Sequence, residues 1–208
     1  MGKYKKIVEH YESCFSKYGD NHKGLDWPNE EDVFKRFNVM LEIINFATVN
    51  KKVSLLDFGC GTAHLLEYIN KNNIQNIEYN GLDISETFIN TAKKKFPEKQ
   101  FYCLDLYSDY EKLPMFDFII LNGVFTIKRD LTFEEMWEHF TKTITMLYEK
   151  ANKGIAFNVM SKIVDWERDD LFHVSFDTMA QFLSGKLTRN FVFRNDYGLY
   201  EYTTYVLK

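Results

Sequence analysis

Cysteine is scarce in this 208-residue chain, and the three present, Cys14, Cys60 and Cys103, form no C-x-x-C pair. With no ligand-spaced histidine beside them, they predict neither a disulfide framework nor a zinc site, and they fit a reducing, cytoplasmic setting. Proline is also rare, at three residues, and neither a linker nor a low-complexity tract nor an internal repeat is visible. No apolar run approaches the ~20 residues that cross a bilayer, so no membrane insertion is expected. The polar start, Met1-Gly2-Lys3-Tyr4-Lys5-Lys6, lacks the apolar core of a signal peptide. An excess of one charge is missing too. The net charge of −4 creates no global field for nucleic acid or an anionic membrane.

What remains is a rich core. Hydrophobic residues make up 45% of the chain, with 19 Phe and 13 Tyr, and the length suits one domain. Residues 1–50 read as helical. Behind Pro28 and the acidic stretch Asn29-Glu30-Glu31-Asp32, apolar residues recur at Val33, Phe34, Phe37, Met40, Leu41 and Ile44, one face of a helix. The pattern then changes to short apolar runs at 53–57, 77–83, 100–104, 116–121 and 154–159, read as strands. Helical spacing separates them at Leu65-Leu66-Ile69, at Phe88-Ile89-Ala92 behind the cap Ser85, and from Phe133 to Leu147. Such alternation predicts a parallel, doubly wound α/β sheet. At the C-terminus, Asn190–Arg194 and Leu199–Leu207 flank a turn at 195–198 and read as an antiparallel hairpin.

Three features carry chemistry. Leu55-Leu56-Asp57-Phe58-Gly59-Cys60-Gly61-Thr62-Ala63 lies where a strand hands over to a helix, and its glycines permit a tight turn and close approach of a ligand. Asp83 ends the second strand, where a carboxylate can accept both hydroxyls of a ribose, with Ile84 beside it. Asp105 follows the third strand. There a carboxylate can accept from an adenine amino group while Leu104 or Leu106 packs on the ring. Each acid alone also suits a solvated loop or a helix cap; the ordered set is much harder to obtain by chance.

These residues resemble the class I family of methyltransferases dependent on S-adenosylmethionine (SAM). The family's acidic-x-Gly-x-Gly-x-Gly motif is matched by Asp57, Gly59 and Gly61, with Ala63 at the third glycine. Its ribose acid is matched by Asp83 and its adenine-side acid by Asp105. Phe116–Ile120 resembles the fourth strand, and the terminal hairpin resembles the antiparallel last strand. The resemblance implies a Rossmann-like, seven-stranded, three-layer αβα fold with SAM as cofactor and S-adenosylhomocysteine (SAH) as product. It implies that Gly59 and Gly61 approach the methionine part and that Asp57 helps place its amino group. The third motif position is expected to govern helix–strand packing more than ligand contact, so alanine there is a mild change.

The expected organisation is a single domain with a helical lid (1–50), a SAM-binding core (51–160), and a substrate-side insertion with the hairpin (161–208). Asn122, in the loop after the fourth strand, is placed beside the reacting centre, although a turn-capping role is an equal reading. The Asp/Asn-Pro-Pro-Tyr/Phe motif of base methylation is absent there, so no nucleic-acid partner is expected. A hydroxyl acceptor benefits from a base, and His173 is the candidate; His22 and His139 are weaker, His139 being assigned to a solvated helix face. Trp27 is expected to shield the cofactor or acceptor and Arg36 to pair with a carboxylate or phosphate. Phe125 and Trp166 are expected to roof the pocket, with Lys162 and Arg168 near the acceptor. A weaker likeness links the chain to stand-alone bacterial methyltransferases of surface-polysaccharide and sugar modification. The favoured reading is therefore O-methylation of a small molecule, a sugar or nucleotide-activated intermediate, by a monomer or homodimer. N-methylation of an amine or protein side chain, and a silent SAM-binding subunit, remain open beside it.

Overall fold

Each strand of the central sheet sends neighbouring side chains to opposite faces, and here both faces are apolar, so helices must cover both. The computed structural model describes residues 4–46 and 51–208. Its strands are β1 (Val53–Phe58), β2 (Ile77–Asp83), β3 (Gln100–Cys103), β4 (Phe116–Phe125), β5 (Ala151–Ser161), β6 (His173–Val174), β7 (Phe191–Arg194) and β8 (Glu201–Leu207). They pair in the order β3-β2-β1-β4-β5-β8-β7, with the two-residue β6 beside β5. All pairs are parallel except those made by β8, which is antiparallel to both β5 and β7. This is the Rossmann-like architecture of the expectation, with eight strands in place of seven.

The helices are α1 (Lys5–Tyr18), α2 (Glu30–Leu41), α3 (His64–Lys71), α4 (Glu86–Lys95), the single turn α5 (Leu106–Asp109), α6 (Phe133–Lys150) and α7 (Phe176–Lys186). Leu56, Ile119, Ile155 and Val206 pack in one core with Phe140 and Ile144 of α6 and Leu183 of α7. Their immediate neighbours, Leu55, Phe118, Ala156 and Tyr205, pack in the other with Phe37 of α2, Leu66 of α3 and Ile89 of α4. Side-chain caps set the helix starts: Asn29 accepts from the Glu31 N–H, Ser85 from Phe88, and Thr132 and Glu135 form a reciprocal capping box. Residues 1–3 and 47–50 of the expected helical segment lie outside the described residues.

Two expectations are corrected. The fourth strand does not end before Asn122 but continues to Phe125, because a register shift between Leu121 and Phe125 absorbs the Gly123 kink and Phe125 is wholly buried in the core. Phe125 is therefore packing, not a roof. The stretch after β5 also holds β6 and α7, whose capping signal at Ser175 was not used in the sequence reading. Among the described residues, no helix is long and apolar enough to cross a membrane.

Candidate active site

The chain reverses its direction of winding between β1 and β4, and a crevice opens there at the carboxyl ends of the strands. The turn after β1 shapes its floor. Gly59 and Gly61 have φ of +76° and +52°, and a Cβ on Gly59 would lie 2.6 Å from Cγ2 of Val124. Asp83 is buried at the end of β2, its two carboxylate oxygens accepting the N–H groups of Gly61 and Ser85, each at 2.9 Å. It thereby ties the glycine turn to the start of α4. Burial pushes its carboxyl up to about 6, against the pull of these backbone donors. Asp57 is also buried, accepts from the Tyr79 hydroxyl at 2.8 Å, and is pushed up to about 7 by burial, with Asp83 nearby adding to the rise. Asp105 caps α5 by accepting the Tyr107 N–H.

The N-terminal segment crosses the crevice and touches the loops after β1, β2 and β3 and Gly123 of β4. The Tyr4 hydroxyl donates to Asp105 at 2.7 Å, and Tyr11 donates to the Gly123 carbonyl at 3.3 Å. Ser85 donates to Glu12, and Thr62 donates to Asp20, which also holds His64 at 2.7 Å and Lys95 at 2.8 Å. Trp27 closes the far side: a Cβ on Gly123, whose φ is +78°, would sit 2.5 Å from its ring. Beside Asp105, the Tyr4 ring stacks on His139 at 4.8 Å, and the Tyr107 hydroxyl lies 2.7 Å from His139 Nδ1. Burial pushes the His139 imidazole down to about 4, so it is neutral near pH 7.

The comparisons with known proteins agree with this geometry. A family model described as a methyltransferase domain matches residues 56–145, the stretch from the glycine turn to α6. Rv1506c of Mycobacterium tuberculosis, a protein named as a methyltransferase, is 26% identical over 163 residues, 74% of this chain and 93% of its own length. Among solved structures, the magnesium protoporphyrin IX methyltransferase of Synechocystis PCC 6803 with bound SAM aligns at a TM-score of 0.64 and 16% identity, covering 99% of this chain and 97% of that one. The plantazolicin methyltransferase BpumL, bound to SAH and a substrate analogue, aligns at 0.63 and 18% identity, covering 99% and 98%. A Leishmania major SAM-dependent methyltransferase aligns at 0.67 and 15% identity, covering 99% and 82%. At such identities the solved structures speak for the fold. Residues 56–145 of this chain match a methyltransferase domain, and the whole chain has the Rossmann-like fold of SAM-dependent methyltransferases.

The crevice passes a test of fit for SAM. Asn122 borders it, and its Oδ1 is buried with no hydrogen-bond partner among the described residues. An orphaned acceptor in a crevice needs a donor, and the amino group of the methionine part is one. The two acids differ in what they have left to offer: Asp83 already accepts two backbone N–H groups, yet a carboxylate has about four lone-pair sites, enough for two ribose hydroxyls more. Asp57, Gly59, Gly61, Asp83, Ile84, Asp105, Leu106, Asn122 and Trp27 all border the one crevice.

His173 and Arg36 do not. The His173 ring is buried beneath β5 with both nitrogens spent on backbone: Nδ1 lies 2.6 Å from the Ser161 carbonyl, and Nε2 accepts the Arg168 N–H at 3.2 Å. It is a structural residue with no free nitrogen for a substrate proton. Arg36 lies behind Trp27, its guanidinium 4.1 Å from the indole and paired with buried Glu201 at 2.8 Å. Trp166 is 72% exposed and roofs nothing, while Arg168 is paired with Asp170. His139 belongs to the crevice and not to a solvated face. The sequence reading also missed Tyr4, Tyr11 and His64; of these only His64 carried a signal, directly behind the glycine turn.

Proposed function

We propose that this methyltransferase modifies an oxygen of a small acceptor that is already nucleophilic, such as a carboxylate or an acidic hydroxyl, beneath an N-terminal lid. The observation that carries the reading is the set of contacts from residues 4–20 to the loops after β1, β2 and β3 and to Gly123 of β4, which lays the N-terminal segment over the crevice. Bound SAM would supply an electrophilic methyl group, held in our reading by Asp57, Gly59, Gly61, Asp83, Ile84, Asp105, Leu106 and Asn122. The chain's remaining task is to align the acceptor and exclude water, for which Tyr11, Leu25, Trp27 and Val124 line the mouth of the crevice.

The case for a sugar hydroxyl came from a weaker family likeness and calls for a base, and with His173 withdrawn the crevice offers, among the described residues, no unpartnered imidazole beside Asn122. His139 is neutral but shares its Nδ1 with Tyr107, and His64 is held by Asp20. An acceptor that arrives ionised needs no such base. The test is transfer of labelled methyl from SAM to panels of carboxylates and phenols, nucleotide-sugars, and amines. Label on carboxylates, released by mild base as an ester would be, or on phenols supports the proposal. Label confined to nucleotide-sugars restores the sugar reading, and label on amines, protein or RNA rejects ours.

A further inference from the structure

Apart from the crevice, α1 turns a second set of donors toward the loop that follows it. His10 and Cys14 stand one helical turn apart on the same face, and Asp26 reaches them from the loop with a left-handed φ of +58°. His10 Nε2 lies 2.7 Å from Asp26 Oδ2 and 3.7 Å from Cys14 Sγ, and all three ligand atoms lie within 4.8 Å of one another. We propose that His10, Cys14 and Asp26 form a binding site for a borderline-soft divalent cation of the zinc class.

The donor set argues for that class. One sulfur, one imidazole nitrogen and one carboxylate oxygen match the ligands zinc takes, and a thiolate with a carboxylate neutralises a dication. Tetrahedral bonding at the usual lengths puts S···N and S···O near about 3.5 Å and N···O near about 3.3 Å, so the sulfur is in place beside the imidazole, while the carboxylate must back off the imidazole by about 0.6 Å and swing toward the sulfur. Arg168 is held by Asp170 and leaves the Asp26 carboxylate to His10. Coordination releases the Cys14 thiol proton to solvent and shifts the imidazole proton to Nδ1; water takes the fourth position. Because both elements belong to the segment over the crevice, the ion would staple α1 to the loop ahead of Trp27. That consequence rests on the lid reading, whereas the site itself does not.

Cobalt(II) titration of the full chain tests the site, because a cysteine ligand produces thiolate-to-cobalt charge-transfer absorption. One equivalent should saturate the band, and zinc should abolish it by displacement. The band should vanish in Cys14→Ser and persist in Cys103→Ser, the exposed cysteine serving as control. Asp26→Asn should weaken binding by about tenfold or more. No band in the wild-type chain, a band surviving Cys14→Ser, or one lost in Cys103→Ser overturns the site and leaves only a His10–Asp26 hydrogen bond. Circular dichroism checks each variant's fold; should Cys14→Ser not fold, His10→Gln takes its place and must lose the band. Titration with SAH in a metal-free buffer reports separately on the crevice, so failure of the site and failure of the lid reading are distinguishable.

Discussion

At the scale of single residues, the carboxylates of the crevice have more than one duty, and this shapes what their substitution should do. Asp83→Ala would orphan the N–H groups of Gly61 and Ser85 as well as remove a ribose acceptor, mixing stability with affinity. Asp83→Asn keeps one acceptor oxygen and is the cleaner probe; SAH affinity should fall by about 1–3 kcal/mol in calorimetry, and an unchanged Kd removes Asp83 from the site. The raised pKa values add a pH signature. Asp57 and Asp83 titrate near 7 and 6 in the folded chain and lower when unfolded, so the native state binds more protons between about pH 4 and 7. Their contribution to stability is then fully present below the unfolded pKa and is lost as pH rises through the folded values. SAH carries a cationic amino group, which the ionised acids favour, so its affinity should rise from about pH 5.5 to 7.5 with release of protons on binding. Calorimetry in buffers of different ionisation heat measures that release; proton uptake would contradict the assignment. Ala63 is a different case: it takes the third glycine position of the motif at φ +70°, where Cβ is strained. Its burial in the core fits a packing position, with the strain as an added cost, so Ala63→Gly should raise Tm, by the equivalent of up to about 1 kcal/mol after the entropy cost of glycine.

At the scale of elements, the strands were legible because their side chains obey local rules, and the doubly wound sheet followed from their alternation with helices. Leu55 and Leu56, or Phe118 and Ile119, must face opposite cores, so an unbroken apolar run could only be a central strand. The glycine turn and the acids at strand ends were legible for the same reason. The lid contacts were not, since Tyr4, Glu12 and Asp20 are ordinary helix and loop residues until the fold brings them over Asp105, Ser85 and Thr62. His173 misled because position after a strand says nothing about which way a ring points, and β6 turns it inward against Ser161. The lid reading makes its own prediction. Tyr4→Phe with Tyr11→Phe deletes two hydrogen bonds but keeps the ring packing, so Tm should move little, while SAH should dissociate several-fold faster and α1 amides exchange faster. Stopped-flow displacement and hydrogen exchange read the two effects; unchanged rates in both would show that α1 is packing rather than a cover.

At the scale of the molecule, one buried polar chain connects elements far apart in sequence. Trp27 lies against Gly123 and over Arg36; Arg36 pairs with Glu201 of β8; Glu201 accepts from Asn158 of β5 at 2.7 Å; and Asn158 accepts the Gly123 N–H of β4 at 2.8 Å. The circuit returns to the residue beside Asn122, so the N-terminal segment, β4, β5 and β8 share one set of bonds at the crevice. A buried pair of this kind contributes little net stability compared with apolar residues of the same shape, but losing one partner strands the other. Glu201 is 1% exposed, so Arg36→Ala should destabilise the chain by about 3–5 kcal/mol in urea unfolding. Arg36→Met combined with Glu201→Leu should recover most of that loss, because no charge is left without a partner. Turnover should not recover with it, since Asn158 loses its acceptor and Trp27 its backing, while SAH binding through Asp83 stays near the wild-type value. That separation of restored stability from missing turnover is what a positioning role requires. A double variant as active as the wild-type chain would reduce the circuit to a means of packing.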